Sequence, residues 1–469
     1  MAGNVVTGRT KEELRRVLVP LALAQFICSF AGSNMNVMIN DMSEDLNTTV
    51  EGIQTAITIF LLVMAALMIP GGKLTEIVGR KKLFIIGLSL YGVGAVISAM
   101  APNLFVLILG NSILEGVGTA LLIPPVYILT TMLFTDVPSR ARAFGAISGM
   151  GGIGAAAGPL IGGFITTTIS WRAAFIFQAL VIVIIILLSV RAVQDPLPAD
   201  PSKPFDTMGA VLSAAGLVVL VTGIMLADND LLLMMLFLAA GVLLLLWFFL
   251  HVRALERKGE EPLLSTGLFR NRTSNLGLVT QNVQWMVLLG TSFVVSAYLQ
   301  VVRGYNAIET GVIFTAATAG ILISSIAAER LAKRHQQRSL VIAGFILTLC
   351  GIALLLAMVY GNPTAWAFAP GLLMIGLGVG TMLTPSVNLV QSSFPDQLQG
   401  EISGLSRSVS NLGSSLGTAV AGTILVAGLV TWSYGLAMIT LAVFGLVGLV
   451  TALMLPTNPV SATPDTPHH

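Results

Sequence analysis

The sequence has 469 residues, of which 55% are hydrophobic and only 10% are charged, and its formal net charge at pH 7 is +2. Soluble domains contain about 25% charged residues, so this composition excludes a soluble globular enzyme and indicates a polytopic membrane protein. The small net charge argues against a nucleic-acid partner. The absence of a P-loop or a nucleophile motif argues against an enzyme or an ATP-driven pump.

Apolar runs of about 20 residues, the length that crosses the hydrocarbon core as a helix, recur from one end of the chain to the other. The first run is long and is followed by many more, so we interpret it as a spanning helix rather than a signal peptide. The pattern predicts an all-α protein with fourteen transmembrane helices, at 17–39, 51–71, 83–101, 104–128, 143–166, 172–190, 208–227, 231–252, 275–301, 310–328, 339–359, 366–390, 403–429 and 434–455.

Basic residues predict the orientation, because Lys and Arg favour cytoplasmic loops. With the N-terminus inside, all but two of the 24 Lys and Arg residues fall on the cytoplasmic side, Arg407 among them. The two exceptions are Arg172 and Arg303. One missed or invented helix would reverse the side of every later loop. We therefore expect a multi-pass protein of a bacterial inner or plasma membrane with both termini in the cytoplasm.

Two cytoplasmic connections, the Pro-rich stretch 193–207 and the charged stretch 253–274, are longer than the others. They divide the helices into six, two and six. The predicted segments are an N-terminal six-helix bundle at 1–192, two inserted helices with their linkers at 193–274, a C-terminal six-helix bundle at 275–456 and a disordered tail at 457–469.

The two six-helix blocks resemble each other in sequence. The tetrapeptide GVGT occurs at 116–119 and at 378–381, each time in the fourth helix of its block. The fifth helices share glycines at a constant offset, since Gly154, Gly158 and Gly163 correspond to Gly413, Gly417 and Gly422. Such repeats are typical of transporters whose two halves rock around a shared site near the bilayer midplane.

The connection GGKLTEIVGRKKLF (71–84) joins helices 2 and 3. Its glycines permit a tight turn, and Glu76 is placed to meet a helix N-terminus or Arg80. Cytoplasmic topology alone would explain the lysines, but it would not explain the acid and the glycines. We interpret this connection as a conformational latch that holds one facing state, formed by Gly72, Glu76, Gly79, Arg80 and Lys81.

Helix 5 contains GIGAAAGPLIGG (152–163), in which Gly154, Gly158 and Gly162 repeat every four residues. This spacing lets the backbone of a neighbouring helix approach closely, and Pro159 removes one backbone hydrogen bond and bends the helix. Close packing by itself accounts for these glycines and for the adjacent Gly163.

These segments carry a resemblance to the major facilitator superfamily. Residues 71–84 resemble its Gly-x-Leu-Ala-Asp-Arg-x-Gly-Arg-Arg loop, and 152–163 resemble its antiporter motif. SWRAAFIFQ (170–178) and AYLQVVRGYNAIETGV (297–312) are similar to segments of the fourteen-helix drug:proton antiporter branch. The resemblance implies two six-helix bundles with two inserted central helices, alternating access, and a role for helix 5 in sealing the cavity against leak.

The chain departs from the branch pattern at two charged positions. The branch usually carries an Asp in helix 1, where this chain has Ala31, and an Arg in helix 4, where it has Ser112. A carboxylate appears three residues later, at Glu115, and every other Asp or Glu can be assigned to a loop or a helix end. A charged carboxylate at the bilayer centre costs about 2.5–3.5 kcal/mol on insertion scales, so Glu115 should be neutral or face a wet cavity.

We predict Glu115 as the proton-coupling residue, which could also bind a cationic cargo directly. The alternative is a permanently protonated partner in an interhelical hydrogen bond. Polar and aromatic residues at mid-depth predict the substrate cavity, although most of them would serve equally as hydrogen-bond partners between helices. The predicted cavity residues are Asn34, Asn36, Asn111, Ser112, Gln178, Gln281, Gln284, Trp285, Tyr298, Asn388 and Gln391.

The sequence thus predicts a secondary active transporter that exports hydrophobic or amphiphilic small molecules, cationic ones included, in exchange for protons. The alternative is a lipid or amphiphile carrier, or an uncoupled facilitator, of the same fold. A channel is disfavoured because no ring of charges or carbonyl filter is evident, and a sensor would carry an added signalling domain. The expected partners are a small molecule, protons and membrane lipids, with the protein a monomer that needs neither metal nor cofactor.

Overall fold

The computed structural model describes residues 11–134, 137–195, 199–226, 230–331, 336–361, 364–394 and 398–457. Within these ranges, fourteen helices are long and apolar enough to cross a membrane, which confirms the predicted number. They are α1 (Leu14–Asp45), α2 (Val50–Val78), α3 (Arg80–Ala99), α4 (Leu104–Leu133), α5 (Arg142–Thr168), α6 (Trp171–Ala192), α7 (Thr207–Met225), α8 (Leu231–Lys258), α9 (Arg272–Val302), α10 (Ala307–Ser325), α11 (Gln337–Val359), α12 (Trp366–Gln391), α13 (Glu401–Val426) and α14 (Thr431–Leu453).

Several helices extend beyond their apolar windows. The sequence predicts that helix 8 ends at 252, yet α8 continues to Lys258 and stops at Gly259, which has a positive φ of 76°. Helical structure also begins at Val137 before α5 and runs to Leu331 after α10. Hydropathy does not predict where these helices end, because their polar ends lie outside the hydrocarbon core. The predicted tail at 457–469 falls, beyond residue 457, outside the described residues.

Three helices are interrupted by turns of different pitch. A 3₁₀ turn at Met35–Met38 lies within α1, and π-helical turns lie within α4 at Ile108–Glu115 and at the end of α9 at Tyr298–Val302. Tightened 3₁₀ turns inside a helix often mark hinges, and widened π-helical turns are often found at functional sites. Two short 3₁₀ helices, Thr266–Arg270 and Ala365–Phe368, precede α9 and α12.

The helices pack into two six-helix halves with equivalent internal contacts. In the N-terminal half, α1 packs on α5 and α3 on α4, and in the C-terminal half α9 packs on α13 and α11 on α12. The halves meet along two corresponding pairs, since α5 contacts α10 and α13 contacts α2. The second helix of each half therefore packs against the fifth helix of the other half.

The inserted helices α7 and α8 lie on the outside of the α2–α13 interface. Val221 of α7 is buried in a small apolar cluster with Leu62 of α2 and Ala419 of α13. On α8, large apolar side chains such as Leu243 and Trp247 are exposed. Apolar surface of this kind is suited to contact with lipid rather than water.

The two ends of the bundle differ in charge. The end that carries Lys73, Arg80, Arg191 and Lys203, called here the basic face, includes the start of α1 and the end of α14. The opposite face carries fewer basic residues. One of them, Arg172, donates to Asp45 and to the backbone oxygen of Ala101 and so ties α6 to the ends of α1 and α3.

Candidate functional site

A cavity lies between the two halves and encloses about 110 Å³. Helices α1, α2, α4 and α5 form one wall, and α9, α10 and α13 form the other. Ligand pockets usually measure about 300–1,000 Å³, so the cavity is contracted and would have to widen to admit a drug-sized ligand. Its polar lining residues are Gln25, Ser29, Ser33, Asn36, Thr119, Ser292, Thr318, Arg407, Ser410, Asn411 and Ser414.

A hydrogen-bond network joins the halves on the opposite-face side of the cavity. Ser296 Oγ and Gln300 Nε2 both donate to the carbonyl oxygen of Asn36, the latter at 2.8 Å. The backbone N–H of Asn40 donates to Gln300 Oε1 at 3.2 Å. The 3₁₀ turn at Met35–Met38 makes this possible, because it interrupts the regular α-helical bonding of α1 next to these groups.

Arg407 of α13 joins the halves on the basic-face side. Its guanidinium carbon lies 4.5 Å from the centroid of the Tyr127 ring, and its Nη2 donates to the Tyr127 hydroxyl. That hydroxyl donates in turn to Gln25 Oε1 at 3.2 Å. Among the lining residues that the structure describes, Arg407 is the one charged side chain. From the sequence alone, Arg407 is predicted only as a basic residue of the cytoplasmic side.

A periodic signal in the sequence could have identified Arg407 as a cavity residue. Positions 407, 410, 411 and 414 are Arg, Ser, Asn and Ser, with the i, i+3, i+4, i+7 spacing of one helix face. Polar residues in a spanning helix point to a wet surface or to a partner helix, and α13 also has Ser406, Ser408 and Ser415 off this face. The four side chains lie together on the cavity wall.

Glu115 lies behind this wall rather than on it. Its side chain is fully buried in the seam between α3 and α4, with Oε1 3.3 Å from Ser98 Oγ and Oε2 3.4 Å from Asn111 Nδ2. Gly94 makes room for it, since a β-carbon there would lie 2.9 Å from Glu115 Cγ. One turn further along α4, Thr119 donates to the Glu115 carbonyl oxygen at 2.8 Å, and Thr119 also lines the cavity.

Two of the eleven predicted cavity residues, Asn36 and Trp285, lie on the cavity lining. The other nine lie elsewhere in the described structure. Gln281 bonds to Ser386 and Ser406, and Gln284 bonds to Ser386, all within the C-terminal half.

Three of the remaining predicted residues lie in the N-terminal half against neighbouring helices: Asn34 is buried against Gly162, Ser112 donates to the carbonyl oxygen of Ala56 in α2, and Gln178 accepts from Tyr91. Asn111 donates to Glu115 within α4, and Tyr298 packs on Tyr434 in the C-terminal half. Asn388 is exposed and Gln391 is half-exposed.

The predicted latch has different partners from those expected. Gly79 has a φ of 97° and turns the chain sharply between α2 and α3. The carboxylate at the N-terminus of α3 is Asp195, which accepts from the backbone N–H of Arg80 at 2.6 Å and of Lys81 at 3.3 Å. Glu76 instead accepts from Lys203 Nζ at 2.6 Å, so the expected pairing with Arg80 or a helix N-terminus is corrected. The residues of the predicted latch therefore contact the connection between α6 and α7. Gly72 lies nearby, and a β-carbon there would be 4.0 Å from Pro124.

The glycines of the helix 5 motif face two neighbours. A β-carbon at Gly154 or at Gly162 would lie under 3.0 Å from an atom of α1. A β-carbon at Gly158 would clash with Ser33, which also belongs to α1. Gly163 instead packs on Ala307 of α10, and Gly311 of α10 packs on the carbonyl oxygen of Pro159. One side of the motif thus binds α5 to its own half, and the other side lies at the interface between halves.

Fourteen spanning helices in two repeated halves, with a cavity at their interface, define an alternating-access membrane transporter. Comparison with known proteins agrees with this class. The Major Facilitator Superfamily profile matches residues 21–418, and the chain belongs to that superfamily. It is therefore a multi-pass transporter of small molecules and not an enzyme.

Similar proteins include several efflux transporters. The puromycin resistance protein pur8 of Streptomyces alboniger is 29% identical over 87% of this chain and 81% of its own length. The multidrug efflux pump LfrA of Mycolicibacterium smegmatis is 27% identical over 91% of this chain and 83% of its own length. Among solved structures, a peptide transporter POT in complex with sulfate has a TM-score of 0.68 at 16% identity, covering 94% of this chain and 95% of that one. The last likeness concerns the fold alone.

Proposed function

We propose that this transporter exports hydrophobic or amphiphilic small molecules in exchange for protons, with Glu115 as the proton carrier. It works as a monomer surrounded by membrane lipids, with the basic face and both termini in the cytoplasm. The names of relatives that confer puromycin resistance or multidrug efflux support export as the direction. The distribution of Lys and Arg supports the orientation.

The observation that carries the proposal is the hydrogen bonding around the Glu115 carboxyl group. Ser98 has one hydroxyl proton to donate, and Ser98 Oγ lies 2.8 Å from the carbonyl oxygen of Gly94 but 3.3 Å from Glu115 Oε1. A protonated Glu115 can donate to Ser98 Oγ and leave that proton to Gly94. The site therefore satisfies a neutral carboxylic acid, whereas an ionised one would be surrounded, among the described residues, by the neutral side chains of Ser98, Asn111 and Tyr91, with no cation to balance its charge.

The position of Glu115 supports coupling to the movement of the halves. It lies eleven residues from the start of α4, about 16 Å along the helix and thus near the middle of the bilayer. It ends the π-helical turn at Ile108–Glu115, and the next turn of the same helix carries Thr119 on the cavity wall. Loss of the proton would require water or a cation in the α3–α4 seam, so the charge of Glu115 would alter the cavity wall through α4.

The alternative is an uncoupled facilitator or a lipid or amphiphile carrier of the same fold. One observation favours it: Glu115 is not among the residues that line the contracted cavity. In this alternative Glu115 is a permanently neutral hydrogen-bond partner that holds α3 against α4.

Transport into proteoliposomes tests the proposal, with the xanthene dyes fluorescein and rhodamine 123 as probes. An imposed pH gradient should drive concentrative accumulation of a transported dye by the wild-type protein. Glu115→Gln should reduce this accumulation to background but retain counterflow exchange, which needs no net proton movement. Glu51→Gln, at an exposed acid at the start of α2, is the matched control and should behave as wild type.

Two results would favour the alternative. The first is a Glu115→Gln protein that still concentrates dye with normal dependence on the pH gradient. The second is a wild-type protein that exchanges dye but never concentrates it.

A further inference from the structure

We propose that the cavity between the halves binds amphiphiles that carry an acidic group, and that this group pairs with the guanidinium of Arg407. The inference deepens the proposed function, because it takes the cavity as the transport site and specifies the charge of the transported molecule. It differs from the expectation of a cationic cargo bound at Glu115.

The first step is the charge of the cavity wall. Arg407 is charged, and the other lining residues in the described structure are neutral. Glu115 lies in the seam between α3 and α4, and its side-chain contacts are with Ser98, Asn111 and Tyr91 rather than with the cavity. The wall therefore presents a positive charge, which attracts an anion and disfavours a cation in a site of low dielectric constant.

The second step is the hydrogen bonding of Arg407. A guanidinium has five N–H donors, and among the described contacts Arg407 uses one of them, to the Tyr127 hydroxyl. Arg407 makes no ion pair with a carboxylate among the described residues. A carboxylate, sulfonate or phenolate can accept the free donors, in a bidentate arrangement where it has two oxygens.

The third step is the rest of the wall. Ser410, Asn411 and Ser414 lie on the same face of α13 as Arg407 and add polar groups beside it. The lining also contains apolar side chains, among them Met64, Leu288 and Phe314. A molecule with one acidic end and an apolar body matches both parts of this surface.

The contact with Tyr127 gives the acidic group a second effect. Arg407 and Tyr127 belong to different halves, and each lies six residues, or about 9 Å, from the basic-face end of its helix. An anion that accepts from Nη2 of Arg407 would compete with the Tyr127 hydroxyl for that donor. Binding in that arrangement would loosen the contact between the halves on this side.

Fluorescence anisotropy of the two dyes with detergent-solubilised protein tests the inference, without any gradient. Fluorescein is anionic and rhodamine 123 is a cation built on a similar ring system. Wild-type protein should bind fluorescein more tightly than rhodamine 123. Arg407→Gln should weaken fluorescein binding by about 10- to 100-fold, the range for loss of a charge-assisted bond, and leave rhodamine 123 binding unchanged or tighter. The affinity of Arg407→Lys for fluorescein should lie between that of wild type and that of Arg407→Gln.

A matched control exists at Arg303, whose Nε donates to the Tyr298 hydroxyl at 3.2 Å and which is not among the lining residues. Arg303→Gln removes a comparable Arg–Tyr pair and should leave fluorescein binding unchanged. Tyr127→Phe removes the competing hydroxyl and should keep fluorescein binding within twofold of wild type or tighten it. Because the assay measures binding without a gradient, its outcome does not depend on proton coupling at Glu115.

Tighter binding of rhodamine 123 than of fluorescein by the wild type would overturn the inference without requiring any variant. An equal loss of affinity for both dyes in Arg407→Gln would also overturn the inference, because Arg407 would then stabilise the structure rather than bind the ligand.

Discussion

Gly154 of α5 lies directly against the backbone of α1, where a β-carbon would be under 3.0 Å from the carbonyl oxygen of Phe26. The C-terminal half repeats this relationship between Gly413 of α13 and the carbonyl oxygen of Asn282 in α9. Both halves therefore hold their first and fifth helices together in the same way. Because the fifth helix also meets the other half, a rigid pair of this kind can carry motion across the interface.

Replacement of Gly154 by Ala should separate α5 from α1, because the new methyl group meets backbone that cannot rotate away. Overpacking of this kind costs about 1–3 kcal/mol. We expect a lower midpoint of thermal unfolding in detergent and slower dye transport. Gly149 in the same helix is the control, since a β-carbon there would have no atom within 4 Å. Gly149→Ala should be neutral or slightly stabilising. Equal effects of the two substitutions would show that the close contact does not matter.

The network around Gln300 should bias the protein towards closure at the opposite face. Gln300→Ala removes the amide that bonds to the Asn36 carbonyl and to the Asn40 N–H. Interhelical bonds in membranes average about 0.6 kcal/mol, so the loss should total about 1–2 kcal/mol and shift the equilibrium about 5- to 30-fold towards an open state. Labelling of Ser292→Cys by an impermeant maleimide from the opposite face should accelerate accordingly, in protein with Cys28 and Cys350 replaced by Ala.

Tyr298→Phe is the control for this experiment, because its hydroxyl bonds to Thr431 within the same half. It should leave the labelling rate of Ser292→Cys unchanged. An unaltered rate in Gln300→Ala, or equal acceleration by Tyr298→Phe, would mean that the inter-half bonds do not hold the closed state.

The fourteen helices can be predicted from the sequence because lipid requires each span to be continuously apolar and fully bonded within itself. The glycine repeat can be predicted for a related reason. Only small residues allow two backbones to touch, so positions such as Gly154 and Gly413 are constrained by contact geometry. The ends of α1 and α8 could not be predicted in this way, since their last turns lie in polar surroundings.

The cavity residues were harder to predict because one pattern has two meanings. Gln281 and Gln284 are amides at mid-depth, as a cavity would require, yet both bond to Ser386 inside their own half. Arg407 had a ready explanation as a cytoplasmic-side charge, although it lies on the cavity wall. The direction that a polar side chain faces depends on how two halves meet, and single-helix periodicity contains only part of that information.

The Glu76–Lys203 pair should make a small contribution to stability that disappears at alkaline pH. The hydrogen bond to Glu76 raises the pKa of Lys203 above its ordinary value. The contribution should therefore be complete below the unfolded-state pKa of about 10.4 and be lost as the pH rises through the higher folded-state pKa. Both side chains are about one-third exposed, at 37% and 32%, so it should not exceed about 1 kcal/mol. The difference in unfolding midpoint between wild type and Glu76→Gln should narrow above about pH 10.4.

Glu12→Gln is the matched control for that pH series. Glu12 pairs with Arg16 at 3.0 Å, and an arginine keeps its proton throughout this range. The difference in unfolding midpoint between wild type and Glu12→Gln should not change with pH over the same range. A parallel change in both variants would assign the effect to general alkaline instability rather than to Lys203.

The orientation of the chain is tested with single cysteines at Ser202, Glu260 and Pro102, all exposed, in protein without Cys28 and Cys350. Ser202 and Glu260 lie in the connections of the basic face, and Pro102 lies between α3 and α4 on the opposite face. Because basic loops are retained in the cytoplasm, an impermeant maleimide added to intact cells should label Pro102→Cys alone. Inverted vesicles should give the reverse pattern. Labelling of Ser202→Cys in intact cells would show that the chain has the opposite orientation in the membrane. Arg407 would then lie towards the extracellular side of the cavity, and transport of an anion bound there would be uptake rather than export.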